Sequence, residues 1–334
     1  MFLYFVSTEI FRIFGRYIYM YKMSHFEIIK CHGSGNDFLL VDVVDEAKYA
    51  DVDWSEFARM ACDRQSGVGS DGVLLVVRHE DGVYGMDMLN PDGTRAEMCG
   101  NGIRCVARYA MERGYIGERA VLRSGGRNYN VEVAGEVYPG IPAYAVDIAI
   151  RLWSSDFAFF AEGEEWLSRK VEALSSELCF SALSLGNPHM VARVEQISLD
   201  TLTALGKRVK VLKDVVPNGV NVSLYECLDR RSIFVATYER GAGITMSCGT
   251  AMTASATAAA LCGEVDCGER IEVRNRGGRV FCTTHKTDDG ITTRLEGNAT
   301  FEWRGVVTIA EDEVTYTILD ESGEAEQWHA ATQL

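Results

Sequence analysis

Residues 251–260 constrain the fold of this chain more tightly than any other stretch. Apart from Met252 they are all Ala, Thr or Ser. Alanine favours helix, yet such a helix has neither a broad apolar face nor a charged one. A helix with small residues on every side is stable when other elements surround it closely. The spacing therefore predicts a central, buried helix that starts after Cys248-Gly249-Thr250 and stops at Gly263. An earlier segment follows the same plan. After Cys99-Gly100-Asn101-Gly102, the residues Ile103, Val106, Ala107, Ala110 and Met111 recur at helical spacing up to Gly114. Polar loop, cysteine, glycine and helix thus occur twice. This implies two similar halves, each contributing one cysteine at the start of an inner helix.

Short strands fill the space between. Residues 73–77 and 233–238 are β-branched or apolar runs of strand length, and residues 23–30 and 128–133 alternate in strand fashion. An outer helix is marked by Asp53 as N-cap, Glu56 three residues on, and an apolar face of Trp54, Phe57, Ala58 and Ala61. The fold class is α/β. At 334 residues, 47% hydrophobic and 24% charged, the chain has the profile of a folded protein with room for two domains. Its net charge of −15 and lack of a basic block argue against nucleic acid or an anionic membrane as partner.

Both ends look separate from this body. Residues 1–22 are rich in Phe, Tyr and Ile but are interrupted by Glu9, Arg12 and Arg16. No charge-free run reaches the roughly 18 residues of a membrane span, and the order of charge and apolar run is not that of a secretory leader. The expectation is an extension outside the fold, with Met23 as the natural start; an amphipathic anchor is the alternative. From residue 311 to 334 there are seven acidic residues and no Lys or Arg. Residues 314–319 could form an edge strand, and the rest of 310–334 reads as a solvated acidic tail. Without a leader, the expected compartment is the cytoplasm and the thiols should stay reduced.

Ten cysteines then need a reading. Cys262 and Cys267 lie close together, as do Cys99 and Cys105, but no further cysteine or histidine pair completes a zinc site. Residues 67–72 fit G-x-G-x-x-G, but the helix precedes them and the strand follows. That is the reverse of a dinucleotide site, so the segment reads as a turn. Cys31, Cys62, Cys105, Cys179, Cys227, Cys262, Cys267 and Cys282 need no role beyond packing. Cys99 and Cys248 differ because each heads a helix and is followed by glycine. The partial positive charge and free N–H groups there should lower a thiol pKa and hold a carboxylate. One such cysteine could be a capping accident. Two on parallel plans suggest thiols on opposite faces of one carbon, one removing a proton and the other returning one.

Six motifs make the resemblance specific. They are residues 32–38 (His-Gly-Ser-Gly-Asn-Asp-Phe), 90–94 leading into 98–102 (Met-Cys-Gly-Asn-Gly), 186–189 (Gly-Asn-Pro-His), 217–222, 238–243 and 247–250 (Ser-Cys-Gly-Thr). In this order, from about residue 25 to 309, the sequence resembles the diaminopimelate epimerases, cofactor-independent amino-acid racemases. The resemblance implies two pseudo-symmetric domains, each a curved, mostly antiparallel sheet around a central helix, with the active site in the cleft between them. Residues 23–146 plus 298–309 would form the first domain and 147–297 the second. It implies conversion of LL-2,6-diaminopimelate to the meso isomer, in lysine and peptidoglycan-precursor biosynthesis, by two-base proton transfer at the α-carbon, a mechanism that needs no cofactor; no pyridoxal phosphate motif is found. A homodimer is implied as well.

By the same resemblance Cys99 and Cys248 are the acid–base pair. The N–H groups of Gly100, Asn101, Gly249 and Thr250 would hold the α-carboxylate. Asn36, Asn90, Asn187, Asn221, Glu239 and Arg240 stand at substrate-binding positions, and His189 and Glu239 would assist, with a hydrogen-bonded structural histidine as the alternative for His189. The family usually has Glu where Ile244 stands and Gly where Ala251 stands. These departures leave room for a related amino acid as substrate. A Cys–His hydrolase using Cys99 and His189 is the rival from another class, but it gives Cys248 no task.

Overall fold

The computed structural model describes residues 24–310 and 313–333. The reading of residues 1–22 as an extension lies outside the described residues. The fold is mixed α/β, with the strands among the described residues joined into one sheet of 19.

The first half contains β1 (Ser24–Gly33), β2 (Asn36–Asp42), helix α1 (Trp54–Ala61), β3 (Val73–Arg78), β4 (Tyr84–Leu89), β5 (Arg95–Ala96), α2 (Gly100–Glu112), β6 (Arg119–Ser124), β7 (Arg127–Tyr138) and β8 (Ile141–Ile150). After the short β9 (Arg169–Lys170) come β10 (Cys179–Ser184), β11 (Pro188–Arg193), α3 (Leu199–Val211), β12 (Asn221–Asp229), β13 (Ser232–Glu239), β14 (Gly243–Ile244), α4 (Gly249–Leu261), β15 (Arg270–Asn275), β16 (Gly278–Thr287) and β17 (Gly290–Asn298). Strand pairing runs in the same order in both. Antiparallel β1–β2, parallel β2–β3, antiparallel β3–β4, parallel β4–β6 and antiparallel β6–β7–β8 have their counterparts in β10–β11, β11–β12, β12–β13, β13–β15 and β15–β16–β17. The outer helix follows the second strand of each set, and the inner helix precedes the parallel return strand.

Alternation along the strands explains how both helix layers are served. In β2, Leu39 and Val41 pack with Phe57, Ala58 and Ala61 of α1, while Phe38 and Leu40 face Ile103, Val106 and Ala107 of α2. In β13, Ala236 and Tyr238 face Leu202, Leu205 and Val209 of α3, and Ile233 and Val235 join the core that holds α4. Side chains two apart share a face of a strand, so sheets covered on both sides carry unbroken apolar runs. The Asp53 side chain caps α1 by accepting from the N–H groups of Ser55 and Glu56. Every residue of α4 from Gly249 to Ala260 is buried. Its hydroxyls are tolerated there because Thr253, Ser255 and Thr257 each donate to the carbonyl four residues back, at 2.8 Å.

The halves are stitched together twice. Antiparallel β8–β17 joins them edge to edge, and β18 (Thr300–Ala310) returns to pair with β1. The boundary placed at 146/147 falls inside β8, a continuous strand shared by neighbours from both halves.

The C-terminal segment corrects the reading of a solvated tail. The expected edge strand exists as β19 (Glu313–Glu321), paired with β18. Beyond it, α5 (Glu324–Thr332) docks through Trp328, which is only 4% exposed. Its ring meets those of His32 and Tyr138 edge-on. Gly278, at φ +129°, leaves the space: a Cβ there would lie 2.7 Å from the indole. Glu324 also forms a forked ion pair with Arg108 of α2. One large aromatic side chain outweighs the polar composition around it. Replacing Trp328 with Ala should cost about 3–5 kcal/mol, read as a lower denaturation midpoint with an unchanged slope.

Candidate active site

Two helix N-termini meet at the centre of the molecule. Cys99 is the N-cap of α2 and Cys248 the N-cap of α4, both in extended backbone conformation. The glycine after each thiol allows the approach. A Cβ on Gly249 would lie 2.9 Å from Asn101 Oδ1, and one on Gly100 would lie 3.0 Å from Leu295 Cδ2 and 4.0 Å from the Gly249 carbonyl carbon. N–H groups of a first helical turn have no acceptor within the helix. The two helices therefore turn two sets of free donors toward one place, where an anion is favoured.

Around Cys99, the Gly102 N–H points at Sγ from 3.4 Å, and Sγ lies 3.8 Å from Asn36 Oδ1. Asn101 Nδ2 donates to the same Asn36 oxygen at 3.2 Å. Asn36 Nδ2 in turn donates to Asp71 at 2.7 Å, and Asp71 is paired with Arg64, which also binds Asp37. The turn at 67–72 thus supports the site through Asp71.

Around Cys248 the chain of contacts is different. Thr250 Oγ1 lies 3.5 Å from Sγ, Asn187 Nδ2 donates to Thr250 Oγ1 at 3.3 Å, and His189 Nε2 lies 3.0 Å from Asn187 Oδ1. His189 is wholly buried and does not bond to either thiol. Burial, then the charge of Arg240, pulls its pKa down to about 3, so it is neutral. With Asn187 oriented this way, Nε2–H donates to it and the Thr250 hydroxyl hydrogen is left for Cys248. Glu239 accepts from Thr245 Oγ1 at 2.6 Å, and its charge acts on Cys248.

The thiols do not have the lowered pKa expected of a helix N-terminus. Burial pushes Cys99 up to about 11, although the N–H groups of Gly102 and Asn101 and the charge of Arg104 pull the other way. Cys248 is raised as well, first by burial and then by the charge of Glu239. Glu239 is itself raised by burial. Desolvation outweighs the pull of the helix N-terminus because protein atoms crowd both half-buried cysteines.

The diaminopimelate epimerase family model matches residues 28–141 and 181–302. Diaminopimelate epimerase of Clostridium acetobutylicum is 37% identical over 298 residues, covering 88% of this chain and 89% of that protein. The Listeria innocua enzyme of the same name is 37% identical over 305 residues, covering 88% and 92%. The chain belongs to the diaminopimelate epimerase family. It is therefore an isomerase that acts on a small amino-acid substrate. The fold extends more widely: a Bacillus anthracis phenazine biosynthesis protein of the PhzF family aligns with TM-score 0.62 at 18% identity, over 86% of this chain and all of that one. A probable proline racemase from Agrobacterium radiobacter aligns with TM-score 0.58 at 13% identity, over 86% and 93%. Among the described residues no helix is long and apolar enough to cross a membrane.

Seen against the positions inferred from this family, Cys99, Cys248, Asn36, Asn101, Asn187, Glu239, Thr250 and the paired glycines stand together. Two others, Asn221 and Arg240, form a rim. Asn221 Oδ1 accepts from the Arg240 N–H at 2.9 Å and lies level with His189 in the parallel β11–β12 pair. The Arg240 guanidinium is exposed, 3.4 Å from the Asn218 carbonyl. Asn90 Nδ2 donates to Thr94 Oγ1 at 2.9 Å within its own turn and makes no hydrogen bond to the other site residues. Sequence reasoning missed Asp71, Arg64, Thr245 and Arg104. For Asp71 the sequence holds no signal, since an exposed acidic residue in a glycine turn is ordinary.

Proposed function

We propose that the protein inverts one α-carbon of LL-2,6-diaminopimelate to give the meso isomer, by passing protons between substrate and two thiols. The abutting helix N-termini, each headed by a Cys–Gly pair, are the observation that carries this reading. One cysteine, as thiolate, takes the α-proton. The charge released spreads into the α-carboxylate, where the N–H groups of Gly100, Asn101, Gly249 and Thr250 stabilise it. The other cysteine, as thiol, donates its proton to the opposite face. Each turnover leaves the two protonation states exchanged, so the reverse reaction starts from the product form.

Raised thiol pKa values suit this chemistry, because a desolvated thiolate is the stronger base toward a weakly acidic C–H bond. A substrate ammonium brought alongside would favour the thiolate as it binds. Glu239 serves as acceptor for Cys248, while His189 acts on it only through Asn187 and Thr250. Asn36, Asn90, Asn187, Asn221 and Arg240 hold the rest of the substrate, whose second carboxylate fits the planar fork of Arg240. No cofactor enters these steps.

The two halves are read as pseudo-symmetric domains, divided near residues 146 and 298, on the strength of the repeated strand pairing. An open β19 edge with Tyr316, Ile318 and Leu319 exposed supports a homodimer. Ten free cysteines favour the cytoplasm. A racemase of another amino acid would keep both thiols and change the rim. The hydrolase reading loses ground, since His189 is committed to Asn187 and distant in bonding from Cys99. Incubating reduced protein with LL-diaminopimelate and resolving the stereoisomers tests the proposal. Meso product is expected, with free proline left uninverted; an LL sample that stays LL would sink it.

A further inference from the structure

Arg104 heads the large side chains that are fully buried among the described residues. It lies on α2, behind Cys99. No carboxylate among the described residues pairs with it. Its bonds all go to neutral acceptors: Nε to the Asn298 carbonyl at 3.1 Å, Nη1 to the Gly100 carbonyl at 2.8 Å, and Nη2 to Asn101 Oδ1 at 3.0 Å and Ser34 Oγ at 3.4 Å. Two glycines make room for the head group, since a Cβ on Gly33 or Gly297 would lie 2.9 or 2.8 Å from Nη2. A buried charge without a counter-charge is costly to keep, so packing alone does not account for it.

A guanidinium can only donate and a carboxylate can only accept. Those two facts set the direction of everything between Arg104 and Asp71. Arg104 takes the Asn101 oxygen, which turns Asn101 Nδ2 to Asn36 Oδ1. Asn36 Nδ2 must then face Asp71, where it donates at 2.7 Å. Flipping either amide would set an N–H against Arg104 or an oxygen against Asp71. Asn36 therefore shows Cys99 a carbonyl oxygen, an acceptor for the S–H.

We propose that Arg104 is a positioning residue of the reaction: with Asp71 at the far end, it fixes the Asn101–Asn36 amide chain against Cys99, and its unpaired charge eases formation of the Cys99 thiolate. This rests on the reading of Cys99 as one of the two acid–base residues. The charged and titratable groups acting on Cys99 are Arg104 from its own helix and Glu239 and Cys248 from the second half. Asp71 acts through Asn36, with Arg64, Asp37 and Lys30 behind it. Cys105 and Cys282 flank the guanidinium as further thiols. Arg104 is thus the cation in this set that acts directly on Cys99. Burial draws its pKa down to about 10, which still leaves it charged at neutral pH.

The test is the pH profile of kcat/KM for inversion, in wild type, Arg104→Met, Arg104→Lys and Asp71→Asn. Loss of the cation in Arg104→Met should move both limbs to higher pH, by about one unit. Arg104→Lys should keep the limbs near their wild-type places and lose about tenfold in kcat, because an ammonium cannot hold the fork. Asp71→Asn removes the opposite charge and should move the limbs the other way, by only about a few tenths of a unit because its side chain is 44% exposed. It should also lower kcat, since the amide chain loses its fixed direction. Unmoved limbs in folded Arg104→Met overturn the proposal. If that variant does not fold, unmoved limbs together with an unchanged kcat in Asp71→Asn overturn it. A wild type that inverts nothing defeats the functional reading instead, which separates the two failures.

Discussion

Cys99→Ala and Cys248→Ala should each lower inversion by roughly 10²–10⁴-fold or more, the range lost with a general acid or base. The loss should be similar for the two variants and should appear in both reaction directions. Each thiol is base in one direction and acid in the other, so neither direction survives without it. The double variant should be little worse than either single one, because residues that act as a unit are not additive. Both side chains are partly exposed helix caps, so stability should change by no more than about 1 kcal/mol. Stereoisomer analysis of purified, folded variants checks this. A Cys248→Ala protein with near-native turnover would leave Cys99 acting alone, as in a hydrolase.

Gly249→Ala should produce the next largest effect, a loss of about 10²-fold in kcat with the fold retained. The new methyl group would sit 2.9 Å from Asn101 Oδ1 and 3.4 Å from its Cγ. Asn101 cannot yield easily, because Arg104 holds its oxygen and Asn36 receives its amide. The N-terminus of α4 must move instead, carrying Cys248 away from Cys99. Misplacement of reacting groups by about 1 Å is enough for such a loss. Alanine is the better helix former by about 1 kcal/mol, so thermal stability should not fall in step with activity. Gly100→Ala meets the flexible end of Leu295 at 3.0 Å and should be the milder change. Equal activity in wild type and Gly249→Ala would show that the close approach of the helices is not needed.

The elements most visible in the sequence were those specified locally. Small residues on all sides of 251–260 left burial as the only stable solution, and Asp53 marked its own helix. The Cys–Gly pairs marked the site for the same reason, since a helix N-terminus is a local property. What stayed hidden depends on distant packing. Arg104 looks like an ordinary polar interruption of α2 until Gly33, Gly297 and Asn298 are seen to close over it. Asp71 gains its role only when β1–β2 brings Asn36 beside the 67–72 turn. The direction of the thiol pKa shift is not legible in the sequence, because desolvation comes from the whole surroundings of the sulfurs, whereas the helix contribution is local. Trp328, one residue in an acidic segment, decided the fate of the C-terminus.

Two-base transfer makes one outcome distinctive. LL-diaminopimelate is incubated with the protein in deuterated water and sampled while little has reacted. The proton delivered to the new face comes from a thiol equilibrated with solvent, whereas the base that removed the original proton does not return it to the same face. Meso product carrying deuterium at the inverted carbon, beside residual LL substrate that remains unlabelled, is the expected result. Deuterium entering the LL substrate as fast as meso product forms would contradict the account, because it would mean that one base serves both faces.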